Sequence, residues 1–246
     1  MCDPTSTASG TGWRGWKTSD APRASDPAGD WIDLTWPLSP TVPRLGIFPP
    51  PRIERIASIP ERPLNVTELS MVVHTGTHVD SPRHFFSDGP ALEDVPLTRL
   101  MGTGVVWSID APLDGLIEPE QLERMRPQLE PGDILLLETG IAKQVGTPDY
   151  DRHASLSVET AQWLVEQQVK LVAIDMLTPE LSIGRRPPDF DYPVHRTLLR
   201  DGVLIAESVA GARPLAGGRA EFLFLPLNIV GGDGAPARVL GRPVQD

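Results

Sequence analysis

The apolar residues of this chain fall in short runs of β-forming side chains divided by turn signals. Such runs are Val66–His74, Gly104–Asp110, Ile134–Glu138, Leu171–Met176, Val203–Glu207 and Glu221–Leu225, and each predicts a strand. Two segments carry a helical pattern instead. Pro119 suits the first turn of a helix running through Met125, because a missing N–H costs nothing there. Ser157 can cap a second helix whose Val158, Ala161, Leu164, Val165 and Val169 form one apolar stripe. Strand 134–138, helix 157–169 and strand 171–176 then read as a βαβ unit with parallel strands. No period of 20 to 50 residues repeats, so the expectation is one mixed α/β domain with a mixed sheet. Long stretches of Pro37–Pro63 and Gly184–Pro193 read as loop, and Pro187 and Pro188 preclude a continuing helix.

Composition narrows the picture. Residues 1–29 are dominated by Ser, Thr, Gly, Pro, Asp and Ala and predict a flexible tail, with Trp13 and Trp16 as its only large aromatics; the domain is expected over 30–246. Hydrophobic residues make 40% of the 246, and no apolar run approaches the roughly 18 residues of a membrane span. The formal charge of -11 opposes nucleic acid and anionic lipid, and no Lys/Arg cluster offsets it. Partners are therefore expected among small molecules, not nucleic acids or membranes. Cys2 is the sole cysteine, which excludes an internal disulfide and every multi-cysteine metal site. The opening MCDPTSTASGTGW has no basic start or apolar centre of a secretory leader, which points to the cytoplasm.

Candidate chemistry concentrates in His74-Thr75-Gly76-Thr77-His78-Val79-Asp80-Ser81-Pro82-Arg83-His84-Phe85. If the strand continues through it, alternation puts His74, Gly76, His78 and Asp80 on one face, with Gly76 leaving space between the two imidazoles. Pro82 ends regular pairing and turns the chain, a route for His84 back to the same place. The ordinary reading of a histidine is a surface or hydrogen-bonded core residue, and it fits His153. Three of the five histidines within eleven residues, interleaved with an aspartate, are different: burying that cluster is costly unless a cation joins it. His195 and Glu207, the latter closing the apolar run VLIAE, are further candidates. HExxH, GxSxG and GxxxxGK do not occur. The Gly231-Gly232-Asp233-Gly234 cluster reads as a turn. Phe48, Arg185 and Arg186 are offered for a pocket wall, with ordinary loop positions as the alternative.

The segment HTGTHVDSPRHF resembles the HxGTHxDxPxHF signature of the cyclase family of metal-dependent hydrolases, which includes bacterial kynurenine formamidase and isatin hydrolase. The resemblance extends through His195-Arg196-Thr197-Leu198-Leu199, the glutamate twelve residues on, and LPLNIVGGDGAPAR, covering about Asp30 to Arg242. It implies a swivelling β/β/α domain assembled as a homodimer or homotetramer, with two metal ions. By this match His74 and His78 bind the first ion, Asp80 bridges, His195 binds the second, Glu207 touches both, and His84 is the general acid/base. Two departures concern the substrate. Ile47-Phe48-Pro49-Pro50-Pro51 stands where family kynurenine formamidases commonly carry Trp-Pro-Gly, leaving Phe48 to replace the tryptophan as substrate-binding aromatic. Ser208-Val209 replaces the frequent Asn-Leu.

The nitrogen and oxygen donor set suits Zn²⁺ first and Mn²⁺ second. The expected reaction is hydrolysis of an aryl formamide or lactam, such as N-formylkynurenine or isatin, by hydroxide formed at the metal. Cyclisation or dehydration of a polyketide-like intermediate is the alternative within enzymes. A non-catalytic, metal-stabilised binding protein is the alternative outside them.

Overall fold

The structure is a computed structural model that describes residues 31–244. The predicted tail, with Cys2, Trp13 and Trp16, lies outside the described residues. In chain order the strands are β1 (Ile32–Asp33), β2 (Arg52–Ala57), β3 (Val66–Ser70), β4 (His78–Asp80), β5 (Met101–Ser108), β6 (Leu116–Ile117), β7 (Ile134–Glu138), β8 (Ser155–Leu156), β9 (Leu171–Ile174), β10 (Leu204–Glu207), β11 (Arg219–Pro226) and β12 (Gly234–Pro243). The helices are α1 (Leu97–Leu100), α2 (Pro119–Leu122), α3 (Val158–Glu166) and α4 (Pro193–Arg200).

β5, β7, β9 and β10 lie side by side and parallel. Their apolar runs are uninterrupted because both faces are covered: every residue of β7, β9 and β10 is buried. The antiparallel strands β4, β12 and β11 complete the sheet, and the extra β12–β4 pairing closes β12-β11-β5-β7-β9-β10-β4 into a barrel-like ring, with β1 on the outer edge of β12. Alternate side chains then serve two cores. One takes residues from all seven ring strands, among them Val79, Val106, Leu136, Ala173, Ala206, Phe222 and Ala235. The other sets Trp107, Leu135, Val172 and Ile205 against Leu164 of α3 and Leu198 of α4. The predicted βαβ unit is present: β7 and β9 are parallel, with α3 between them in sequence. Ser157 caps α3 by accepting the Thr160 N–H. This is one mixed α/β domain in which helices are few.

Several expectations need correction. The strand expected over 66–74 ends at Ser70, and a new one starts at His78. Gly76 between them has φ +68° and donates its N–H to the Pro43 carbonyl, a left-handed step that breaks extension. β3 pairs instead with β2, a strand inside the stretch read as loop. Its sequence RIERIA keeps no two-residue alternation, since Ile53 and Ile56 fall three apart, and nearly the whole strand is exposed, so no core pattern marks it. β12 was unseen because Gly and Pro interrupt its pattern, and α4 because its start lies at the end of a Pro-rich loop. α2 stops at Leu122 and not Met125. In α3 the buried residues are Thr160, Ala161 and Leu164; Val169 is buried beyond the helix end.

Candidate metal centre

β4 brings two ligand-type side chains to one face, as alternation demands of His78 and Asp80. The register fixes what they meet: Glu207 of β10 is the cross-strand partner of His78, and Ile205 and Gly234 are those of Asp80. His78 Nδ1–H donates to the Gly76 carbonyl at 2.8 Å. Its Nε2 therefore faces Asp80 Oδ1 and Glu207 Oε2, each at 3.4 Å.

His74 reaches the same place from outside the strand. The Gly76 turn swings it over β4, and the space Gly76 leaves is taken by Val42, not by imidazole as expected: a Cβ there would lie 2.8 Å from Val42 Cγ2. Gly234 supplies the room instead, since a Cβ on it would stand 2.7 Å from His74 Cε1. His74 donates through Nδ1 to Asp80 Oδ1 at 2.8 Å and through Nε2 to Asp233 Oδ2 at 3.0 Å. To ligate a cation it must exchange one of these carboxylates.

His195 comes from the first turn of α4, which Pro193 opens. Glu180, fully buried, accepts both the main-chain N–H of His195 at 2.8 Å and its Nδ1–H at 2.9 Å. That fixes the tautomer. Nε2 consequently points at Glu207 Oε1 at 3.2 Å and Asp80 Oδ2 at 3.5 Å. Asp80 thus stands between the His74/His78 pair and the His195/Glu207 pair, and both sets have ligand atoms mutually within 4.8 Å.

Four carboxylates in so little space require positive charge. Burial pushes each imidazole toward neutrality, but the acids outweigh it. Asp80 and Asp233 hold His74 up at about 10. Asp80 and Glu207 raise His78, and Asp80, Glu180 and Glu207 carry His195 well above its ordinary value. Burial likewise works to raise Asp80, yet His74, His195 and His78 hold it well below the usual carboxylate range. Protons do not complete the site, however. His78 Nε2 and Asp80 Oδ2 are buried without a hydrogen-bond partner, a state that costs about 1–3 kcal/mol per group. A divalent cation with nitrogen and oxygen preference fits those two atoms and the charge around them.

Comparison with known proteins decides the family. The family model described as "Putative cyclase" matches residues 32–181. The chain belongs to the cyclase family. A kynurenine formamidase of Bacillus cereus is 30% identical over 219 residues, spanning 87% of this chain and 98% of that protein. Among solved structures, isatin hydrolase A from Ralstonia solanacearum superposes with a TM-score of 0.77 at 26% identity, covering 86% of this chain and 90% of that one. A predicted metal-dependent hydrolase from Bacillus stearothermophilus gives 0.71 at 27%, covering 86% and 97%.

In this cyclase-family chain the turn Pro82–His84 follows β4 directly and carries His84 back. Its ring stacks on His74 with centroids 3.9 Å apart, and its Nδ1 lies 3.6 Å from Asp233 Oδ2. Burial pushes its pKa down. Together with His84 a cleft wall forms from Phe48, Phe85, Tyr192, Arg44 and Arg186. Arg185 is not part of it; its guanidinium bonds the Asp114 carbonyl. His153 is a buried histidine bonded to the Ala154 carbonyl. Sequence reading missed Glu180 and Asp233. No periodic signal marks Glu180, whereas Asp233 sat in a glycine cluster taken for a plain turn.

Proposed function

We propose that this protein is a metal-dependent amide hydrolase acting on aryl formamides or cyclic amides, of which N-formylkynurenine and isatin are examples. The observation that carries the reading is the pair of orphaned, buried ligand atoms, His78 Nε2 and Asp80 Oδ2, amid convergent imidazoles and acids. His74, His78 and Asp80 would hold one divalent ion, and Asp80, His195 and Glu207 a second, with Zn²⁺ preferred and Mn²⁺ the substitute. Bound there, such ions supply a Lewis acid for a carbonyl oxygen and lower the pKa of water to about 7. His84, beside this set but outside it, takes a proton from the attacking water and returns it to the departing nitrogen. Proton transfer of that kind is worth about 10² to 10⁴ in rate. Phe48, Phe85 and Tyr192 offer the aryl group an apolar wall. The names of the Bacillus cereus and Ralstonia relatives support this substrate class. A homodimer or homotetramer belongs to the same reading, since Ile53, Ile56, Ile59, Leu64 and Leu69 around the β2–β3 hairpin are exposed apolar surface for a second copy to cover.

Elemental analysis and kinetics test it together. His78→Ala and Asp80→Ala are expected to lose metal, whereas His84→Ala keeps metal and loses about 10²- to 10⁴-fold in kcat. Undiminished turnover by chelator-stripped wild type would reject the mechanism. Failure to hydrolyse any aryl formamide, isatin or lactam would shift the assignment to cyclisation chemistry.

A further inference from the structure

The cleft wall holds a charged group that amide hydrolysis leaves unused and that no other side chain among the described residues neutralises. Arg186 lines the same cleft as His78, Asp80 and His195. Its guanidinium lies over the rings of Phe190 and Tyr192, 5.1 and 5.2 Å from their centroids, and its Nε–H donates to the Leu181 carbonyl at 2.8 Å. Two rings and one carbonyl thereby set the plane and direction of the group. Nη2 is buried and lacks a hydrogen-bond partner, and among the described residues the guanidinium forms no ion pair. Arg44, the other arginine of the wall, is committed to its own loop: its Nε and Nη1 donate to the Phe48 and Pro40 carbonyls at 3.2 and 3.5 Å.

A guanidinium cannot escape a poor environment by losing its proton, so Arg186 bears a desolvation penalty until an acceptor meets Nη2. Its planar fork matches a carboxylate better than a neutral oxygen. The neighbouring Phe48, Phe85 and Tyr192 suit an arene. We infer that Arg186 receives a carboxylate carried by the substrate, so that the preferred amides of this site are anionic aryl amides. This rests on the amide-hydrolase reading above and adds to it the charge of the substrate and the residue that selects it.

The test uses the full chain loaded with Zn²⁺, the ortho, meta and para isomers of formamidobenzoate, and the methyl ester of each. At least one acid is expected to exceed its ester tenfold or more in kcat/KM, chiefly through KM. Arg186→Gln should shrink that acid-to-ester ratio about 10- to 100-fold, the range of a charge-assisted bond, with Arg186→Lys recovering part of it. Ratios below threefold for all three isomers, or a ratio unmoved in Arg186→Gln, would overturn the inference. Calorimetry of the three aminobenzoates and their methyl esters, on wild type and variant, reads recognition without turnover. Equal affinity for acid and ester in the wild type overturns the Arg186 assignment even if the variant does not fold. Absence of hydrolysis of every acid and ester defeats the hydrolase reading alone, and the calorimetry then still decides the role of Arg186.

Discussion

His195 owes its orientation to a buried carboxylate bonded to the far side of its ring. Glu180 takes both the main-chain and Nδ1 protons of His195, leaving Nε2 to face Asp80 and Glu207. A carboxylate behind a ligating imidazole raises its basicity and holds its ring. Glu180→Ala is therefore expected to weaken divalent-ion affinity about 10- to 100-fold in chelator competition, while Glu180→Gln, whose amide oxygen still accepts Nδ1–H, loses less. Equal affinity in Glu180→Ala and wild type would remove Glu180 from the site. Asp233 differs from Glu180 in exposure: its side chain is 48% exposed, so its bond to His74 is the one a cation can most readily displace.

At the level of elements, the site depends on β4 being pinned between β10 and β12. That short strand contributes His78 and Asp80, and its two neighbours contribute Glu207 and the Gly234 backbone. Ring closure elsewhere is equally strict. Gly104 of β5 faces Ile134 of β7 so closely that a Cβ would stand 1.8 Å from the Ile134 carbonyl oxygen. Backbone in the middle of a parallel sheet cannot move aside cheaply. Gly104→Ala should then cost at least about 2 kcal/mol and lower the melting temperature by several degrees. Thermal denaturation within a degree of wild type would show that the two strands separate more freely than their register implies.

For the molecule as a whole, the buried charges link stability to both pH and metal. Asp80 is held below its ordinary 3.8, so its contribution is present above that value and is lost as pH falls through the depressed folded pKa. His74 is raised from 6.5 to about 10, so its contribution is full below 6.5 and is lost as pH rises through about 10. With a chelator present, the contribution of this pair should peak between about pH 4 and 6.5. A divalent cation binding this site, supplied at about 1,000 times its Kd, is expected to add roughly 4 kcal/mol, a gain that shrinks in acid as protons compete for the ligands. Melting curves from pH 3 to 10, with and without chelator, measure both effects. A melting temperature indifferent to chelator at pH 7.5 would contradict the metal centre.

What the sequence determined by itself was local. Uninterrupted apolar runs announced β7, β9 and β10, Ser157 announced the cap of α3, and the spacing of His78 and Asp80 put both on one face of an extended segment. Each of these follows from side-chain direction within a few residues. Tertiary structure decided the rest. The Gly76 turn, not alternation, delivers His74; strand register sets Glu207 opposite His78; and α4 brings His195 over Asp80. Glu180 and Asp233 join from loops, and β12 closes the ring despite its glycines and prolines. These contacts pair residues far apart in the chain, and their energy comes from packing and charge compensation that local periodicity does not encode.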